Sequence, residues 1–264
     1  MGFLASWTLQ LKRTEVRGKR GIPEPISILH LSDLHGEFGR RLSPLKELTD
    51  GLRPDLIFLT GDILDEHTSS MDGVLRFLAS LPRAPGFFVP GNHDRSCALY
   101  PSLLSALGDS GIQCLANKSL VVRIRQTLAD AEVRVIGLDD LYRGKPDFSL
   151  LAGCGSAGLP SILAAHSPTI GRRNAKRTGT SSLLELAARS GIDLALCGHT
   201  HGGQVRLPFL GALYVPGQGF FPRLVHGLYR SRDASMYITS GLGTSHIPLR
   251  FLCPPEAAFL VWYP

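Results

Sequence analysis

ISILHLSDLH, from Ile26 to His35, sets a mostly apolar run ahead of a turn that carries an aspartate and a histidine one residue apart. A continuous apolar run of this length fits a strand buried on both faces, not one that alternates between core and water. The same plan returns in DLIFLTGD (55–62), GFFVPGNHD (86–94), SILAAHSP (161–168) and DLALCGHTH (193–201). Helical patterns lie between the early runs: SPLKELTDGL from Ser43, SSMDGVLRFLASL after Thr68 and CALYPSLLSALGDSG after Asp94. Strand, loop, helix, strand is the βαβ arrangement with right-handed crossovers.

Farther out the patterns change. Residues 119–138 alternate apolar and polar side chains around LADAE and read as a hairpin. A helix is expected from Thr180 to Arg189, and the closing AAFLVWY run (257–263) reads as a core strand. After residue 203 the chain is rich in glycine, proline and β-formers, which points to a second set of strands and loops. The expected fold class is α/β, two β-sheets packed together with helices outside. Residues 1–25 are expected to form an edge strand and a basic lead-in, and residues 26–264 a single domain.

Composition narrows the function classes. The chain has 264 residues, 44% hydrophobic and 19% charged, enough for one sizeable core and without a signature of disorder. Lys and Arg exceed Asp and Glu by 28 to 22, a net charge of +6 that suits an anionic substrate or surface. No aromatic-interleaved basic stripe is present, which argues against nucleic acid as a partner. Five cysteines with no CxxC spacing argue against a disulfide framework and a zinc-thiolate site, and favour a reducing, cytoplasmic compartment. No apolar run reaches the roughly 18 residues of a membrane span. The basic stretch LKRTEVRGKR follows the apolar MGFLASWTLQ, the reverse of a signal peptide, and peripheral contact with an acidic membrane is an open alternative for it.

The polar residues fall where chemistry is expected. In an open α/β sheet, ligands bind beyond the carboxyl ends of the strands. Asp33, His35, Asp62, Asn92, His93, Asp94, His166, His199 and His201 all follow the ends of apolar runs, and five of the nine histidines are among them. Nitrogen and oxygen donors without thiolate suit manganese, iron, zinc, cobalt or nickel. Asp33 and His35, two apart, face the same way if the backbone is extended. Asp62 offers two oxygens that can bridge two ions.

D-x-H, GD, GNHD, a later His and GH-x-H together resemble the calcineurin-like metallophosphoesterase superfamily, over nearly the whole chain. GHTHGGQ (198–204), GLYR (227–230) and SGLGTSHIPLRFLCPPE (240–256) look like a small bacterial branch of it. That branch includes phosphodiesterases and an enzyme that hydrolyses UDP-2,3-diacylglucosamine in lipid A synthesis.

The resemblance implies a four-layer αββα sandwich and a two-metal hydrolase of phosphate esters, acting on phosphodiester or pyrophosphate bonds of a small-molecule or lipid-linked substrate. It implies one ion on Asp33, His35, Asp62 and His201 and a second on Asp62, Asn92, His166 and His199, with manganese placed first. A metal-bridging hydroxide would attack phosphorus in line. His93 would stabilise the transition state or protonate the leaving oxygen, its ring oriented by Asp94. A metal-binding scaffold without turnover is the rival reading, and the His93–Asp94 pair argues against it.

Other residues carry weaker readings. Arg95 and His246 are candidate substrate contacts, and Gln204 is either that or part of a structural turn. GRRNAKRTGTSS (171–182) reads as a solvated basic loop or as a contact for phosphate or membrane. PGQGFFPRLVHGLYR (216–230) reads as a substrate lip or a packed loop. The glycines of GHTHGGQ are expected to keep the approach to phosphate open.

Overall fold

A computed structural model describes residues 8–18, 21–39, 42–155, 158–244 and 249–264. Its first half runs β1 (Gln10–Arg17), β2 (Ile26–Leu31), α1 (Pro44–Thr49), β3 (Leu56–Leu59), α2 (Asp72–Ala79), β4 (Gly86–Phe88), α3 (Asn92–Ser96), α4 (Tyr100–Asp109) and β5 (Ile112–Cys114). The centre holds β6 (Lys118–Ile124), β7 (Ala131–Gly137), β8 (Ser161–Ala164), α5 (Arg172–Thr178), α6 (Leu183–Ser190) and β9 (Leu194–Cys197). Four two-residue strands follow: β10 (Arg206–Leu207), β11 (Gly211–Ala212), β12 (Tyr214–Val215) and β13 (Gly219–Phe220). The chain then forms β14 (Gly227–Ser231), β15 (Ala234–Ile238) and β16 (Glu256–Tyr263).

Two six-stranded sheets result, ordered β1-β16-β2-β3-β4-β5 and β14-β15-β9-β8-β7-β6. Strands β2 to β5 run parallel to one another, as do β7, β8 and β9, while β6–β7 is an antiparallel hairpin. Both faces of the central strands are covered, which explains their continuous apolar runs. Ile26, Ile28, Leu56 and Phe58 meet Val133, Val135, Ile162 and Leu196 between the sheets. Leu29, Leu31, Ile57 and Leu59 turn the other way, onto Phe77 of α2 and Leu103 and Leu107 of α4. Behind the second sheet, Leu163, Ala195 and Met236 pack on Leu183 and Ala187 of α6. The layers are helix, sheet, sheet, helix.

Two local readings need correction. Residues 172–178 are helix α5 and not a loop; Gly179 ends it in the left-handed conformation at φ 69°, a common helix stop. The following helix starts after Ser182, whose hydroxyl accepts from the Glu185 N–H, and not at Thr180. Strand β1 pairs in parallel with β16 along its whole length, so the basic stretch after the N-terminus supplies the edge of the first sheet. Among the described residues, no helix is long and apolar enough to cross a membrane.

Candidate metal centre

The carboxyl ends of β2, β3 and β4 from one sheet meet those of β8 and β9 from the other. Backbone bonds lock the loops together: the Asp33 N–H donates to the Gly61 carbonyl and the Gly198 N–H to the His166 carbonyl, at 3.0 and 2.9 Å. The sheets are joined where the His199 N–H donates to both carboxylate oxygens of Asp33, each at 3.0 Å.

Within this junction the side chains form three overlapping donor groups. Asp33, His35 and His201 make one, Asp62, His166 and His199 another, and His35, Asp62 and His93 lie between them. His35 Nε2 is 3.0 Å from His201 Nε2, 3.6 Å from Asp62 Oδ2 and 4.0 Å from Asp33 Oδ1. His166 Nε2 is 3.0 Å from Asp62 Oδ2 and 3.1 Å from His199 Nδ1. Two nitrogens each about 2.1 Å from one ion lie roughly 3.0–3.4 Å apart, so these spacings are those of shared coordination. The two histidines of GHTHGGQ join different groups, His199 with His166 and His201 with His35.

The backbone that aims these donors is unusual. Asp33, His35, Asp62, His199 and His201 all have positive φ, between 49° and 71°. Left-handed backbone disfavours ordinary side chains by about 1–2 kcal/mol per residue, and such strain gathers at functional sites. Asp33 and His35 therefore approach their partners from a left-handed turn and not from extended chain. The neighbouring glycines are set by packing. A Cβ on Gly198 would lie 2.0 Å from Ser32 Oγ and 2.3 Å from Asp33 Oδ2, and one on Gly91 would lie 2.0 Å from Asp62 Oδ1. They let the loops close on the donors, which corrects the expectation of an open approach.

Burial sets the protonation states. It pushes His35 down to about 4, His199 down to about 3 and His201 well below the usual range, so all three are neutral and able to offer a lone pair. Burial raises Asp33 to about 6. For Asp62 burial works upward, but the charge and hydrogen bond of His166 outweigh it and hold the carboxyl well below its ordinary value. For His166 burial works downward, and Asp62 outweighs it to raise the imidazole to about 10. His166 Nδ1 donates to the Thr60 carbonyl at 2.7 Å, which leaves Nε2 as the nitrogen facing Asp62.

Asn92 sits at the first position of α3, and its buried Oδ1 accepts no hydrogen bond among the described residues. A buried carbonyl oxygen without a donor is costly, and a cation beside it removes that cost. Crowded neutral imidazoles, ionised Asp62 and this oxygen fit divalent metal.

Asp94 does something other than expected. Its Oδ2 accepts from the N–H groups of Asp62 and Gly91 at 2.7 and 2.9 Å, and its Oδ1 from Leu64 at 2.9 Å. It is a brace for the Asp62 loop, raised to about 7 by burial and then by the Asp62 charge. The carboxylate facing His93 Nδ1 is instead Glu66, 3.2 Å away. Glu66 lies four residues past Asp62, beyond the turn, so no strand-end rule marks it. Tyr142 was also missed: its ring stacks on His199 with centroids 5.4 Å apart, from the loop after β7. Arg95 is exposed and engages Asp139 while covering the Tyr100 ring. Gln204, at φ 49°, bonds through its backbone to His201 and Phe251. His246 lies outside the described residues.

An αββα sandwich with histidine and aspartate donors at the joined strand ends defines a metallohydrolase-type site. The model of the calcineurin-like phosphoesterase family matches residues 26–203, and the chain belongs to that family. It is a metal-dependent phosphoesterase. It is 32% identical over 247 residues to the metallophosphoesterase YkuE of Bacillus subtilis, covering 87% of this chain and 76% of the relative. It is 32% identical over 250 residues to the phosphodiesterase YaeI of Escherichia coli, covering 89% and 82%. A zebrafish (Danio rerio) transmembrane protein with a metallophosphoesterase domain is 31% identical over 257 residues, 91% of this chain and 54% of that protein. The solved Plasmodium protein GAP50, an anchor in the inner membrane complex, shares the fold at 12% identity and a TM-score of 0.50, covering 87% of this chain and 76% of its own.

Proposed function

We propose that the chain hydrolyses phosphodiester or pyrophosphate bonds with two divalent ions, manganese first among the metals its donors suit. One ion is assigned to Asp33, His35, Asp62 and His201, and the other to Asp62, Asn92, His166 and His199. The observation that carries this reading is Asp62: one oxygen, Oδ2, lies 3.6 Å from His35 and 3.0 Å from His166, so one carboxylate serves both sides. Two ions so held would clamp the attacking and leaving oxygens of an in-line displacement and supply a nucleophile near neutral pH.

The chain's own groups do the rest. Asp94 fixes the Asp62 backbone so that the carboxylate stays between the donor groups. His93 stands at the edge of the His35 ring, centroids 4.8 Å apart, and is assigned the proton transfer to the leaving oxygen. Glu66, beside Nδ1, orients that ring. The preference for diesters draws on the likeness to YaeI, a phosphodiesterase by name. The test is turnover of bis(p-nitrophenyl) phosphate in Mn²⁺. Asp62→Asn lowers it by roughly three orders of magnitude or more; full metal-dependent turnover in that variant sinks the assignment.

A further inference from the structure

Directly after the metal-site loop, strands β10 to β13 form two small hairpins, an arch over residues 204–221. Its core is small, Ala212 and Val215 packed with Val225 just beyond it. Its outside is strongly apolar. Phe209 is fully exposed, Phe220 76% and Leu210 62%, with Phe221, Tyr214 and Leu252 beside them. The arch holds together through local contacts: the Phe221 N–H donates to the Leu213 carbonyl, the Tyr214 and Phe220 rings lie 5.3 Å apart, and Val205 bridges Phe251. Phe209, Phe221 and Leu252 have φ of 66°, 51° and 49°, a backbone that bulky residues rarely adopt. Here it turns apolar side chains into solvent.

Cations flank the patch. From Leu194 to Arg232 the sequence has no acidic residue, and next to the arch Arg223 is exposed and Arg206 half-buried. Helix α5 adds exposed Arg172, Arg173 and Lys176. Arch and helix meet at Tyr142. A Cβ on Gly217 of the arch would lie 2.6 Å from the Tyr142 hydroxyl, and one on Gly171, before α5, 3.4 Å from its ring. Tyr142 in turn stacks on His199.

We infer that this face docks on an anionic lipid bilayer, the aromatic tips of the arch entering the interface while Arg223 and the basic side chains of α5 engage headgroup phosphates. Separate protruding apolar tips among cations match a surface that is apolar inside and negatively charged outside. Aromatic rings favour such interfaces, and each Lys or Arg near an anionic leaflet adds attraction. The metal centre then lies at headgroup level, a consequence that rests on the phosphoesterase reading; the docking itself does not.

The test is co-sedimentation with sucrose-loaded vesicles of phosphatidylcholine alone or with roughly 30 mol% phosphatidylglycerol. The wild type is expected to bind the anionic vesicles at least about tenfold better, and 0.5 M NaCl to weaken that binding, about one Debye length then being only a few Å. The triple variant Phe209→Ser, Phe220→Ser, Phe221→Ser is expected to lose at least about tenfold in partition, with turnover of the soluble diester and thermal midpoint unchanged. A single Phe209→Trp variant gives an independent reading, its added emission shifting to the blue and being quenched by brominated lipid. No anionic preference, a triple variant that binds like wild type, or an indole that stays in water each overturns the proposal. So does a wild type that self-associates through the patch and ignores vesicles. Loss of diester turnover in Asp62→Asn with vesicle binding kept, or the converse, separates this docking from the proposed chemistry.

Discussion

The loops that hold the metal donors and the arch that follows the last of them are physically opposites. In the first, five donors sit in left-handed backbone with glycines pressed against them, and burial keeps His35, His199 and His201 neutral. In the second, the core is small and the large apolar side chains face outward. A site that must hold ions needs geometry over-determined from several sides, whereas a surface that meets a fluid partner needs exposed chemistry and little internal order. Between His199 and Phe221 the chain passes from one to the other.

Substitutions can break this contrast. Gly91→Ala puts a methyl against Asp62 and is expected to destabilise by about 3 kcal/mol or to lower metal content; a silent variant, in thermal melts and metal assays, shows that the loops are looser than described. His93→Ala should keep its metal and lose about 100-fold in turnover, and Glu66→Gln should lose less while moving the pH profile. If His93→Ala sheds metal, His93 is a ligand.

The pH dependence of binding follows from the protons that metal must displace. His166 is raised to about 10 and Asp33 to about 6, while His35 and His199 are already neutral above about 4. Between pH 6 and 10 one proton leaves on binding, so affinity should rise about tenfold per pH unit, and more steeply below pH 6. Calorimetry in buffers of different ionisation enthalpy measures that proton. At the other end of the scale, Leu210→Ser on the arch should change folding stability by less than about 0.5 kcal/mol.

Much of the first region was legible and little of the second. Strands such as β2 and β3 are buried on both faces and so write continuous apolar runs, and the donors follow the ends of those runs. What was hidden depended on the third dimension. Glu66 reaches His93 across a turn, Asp94 bends back to brace Asp62, and Tyr142 arrives at His199 from the loop after β7, two strands away. The glycines of GHTHGGQ looked like clearance for a substrate because sequence cannot show that Ser32 and Asp33 press on Gly198. The arch has strands two residues long, too short for a period, so its exposed aromatics read equally as a packed loop.

The central claim is that two ions occupy donor groups that share Asp62. Metal content by inductively coupled plasma mass spectrometry, on protein purified in Mn²⁺, tests it most directly. The account gives about two ions per wild-type chain and about one in each of His199→Ala and His201→Ala. A wild type with a single ion, or both variants still holding two, would contradict it.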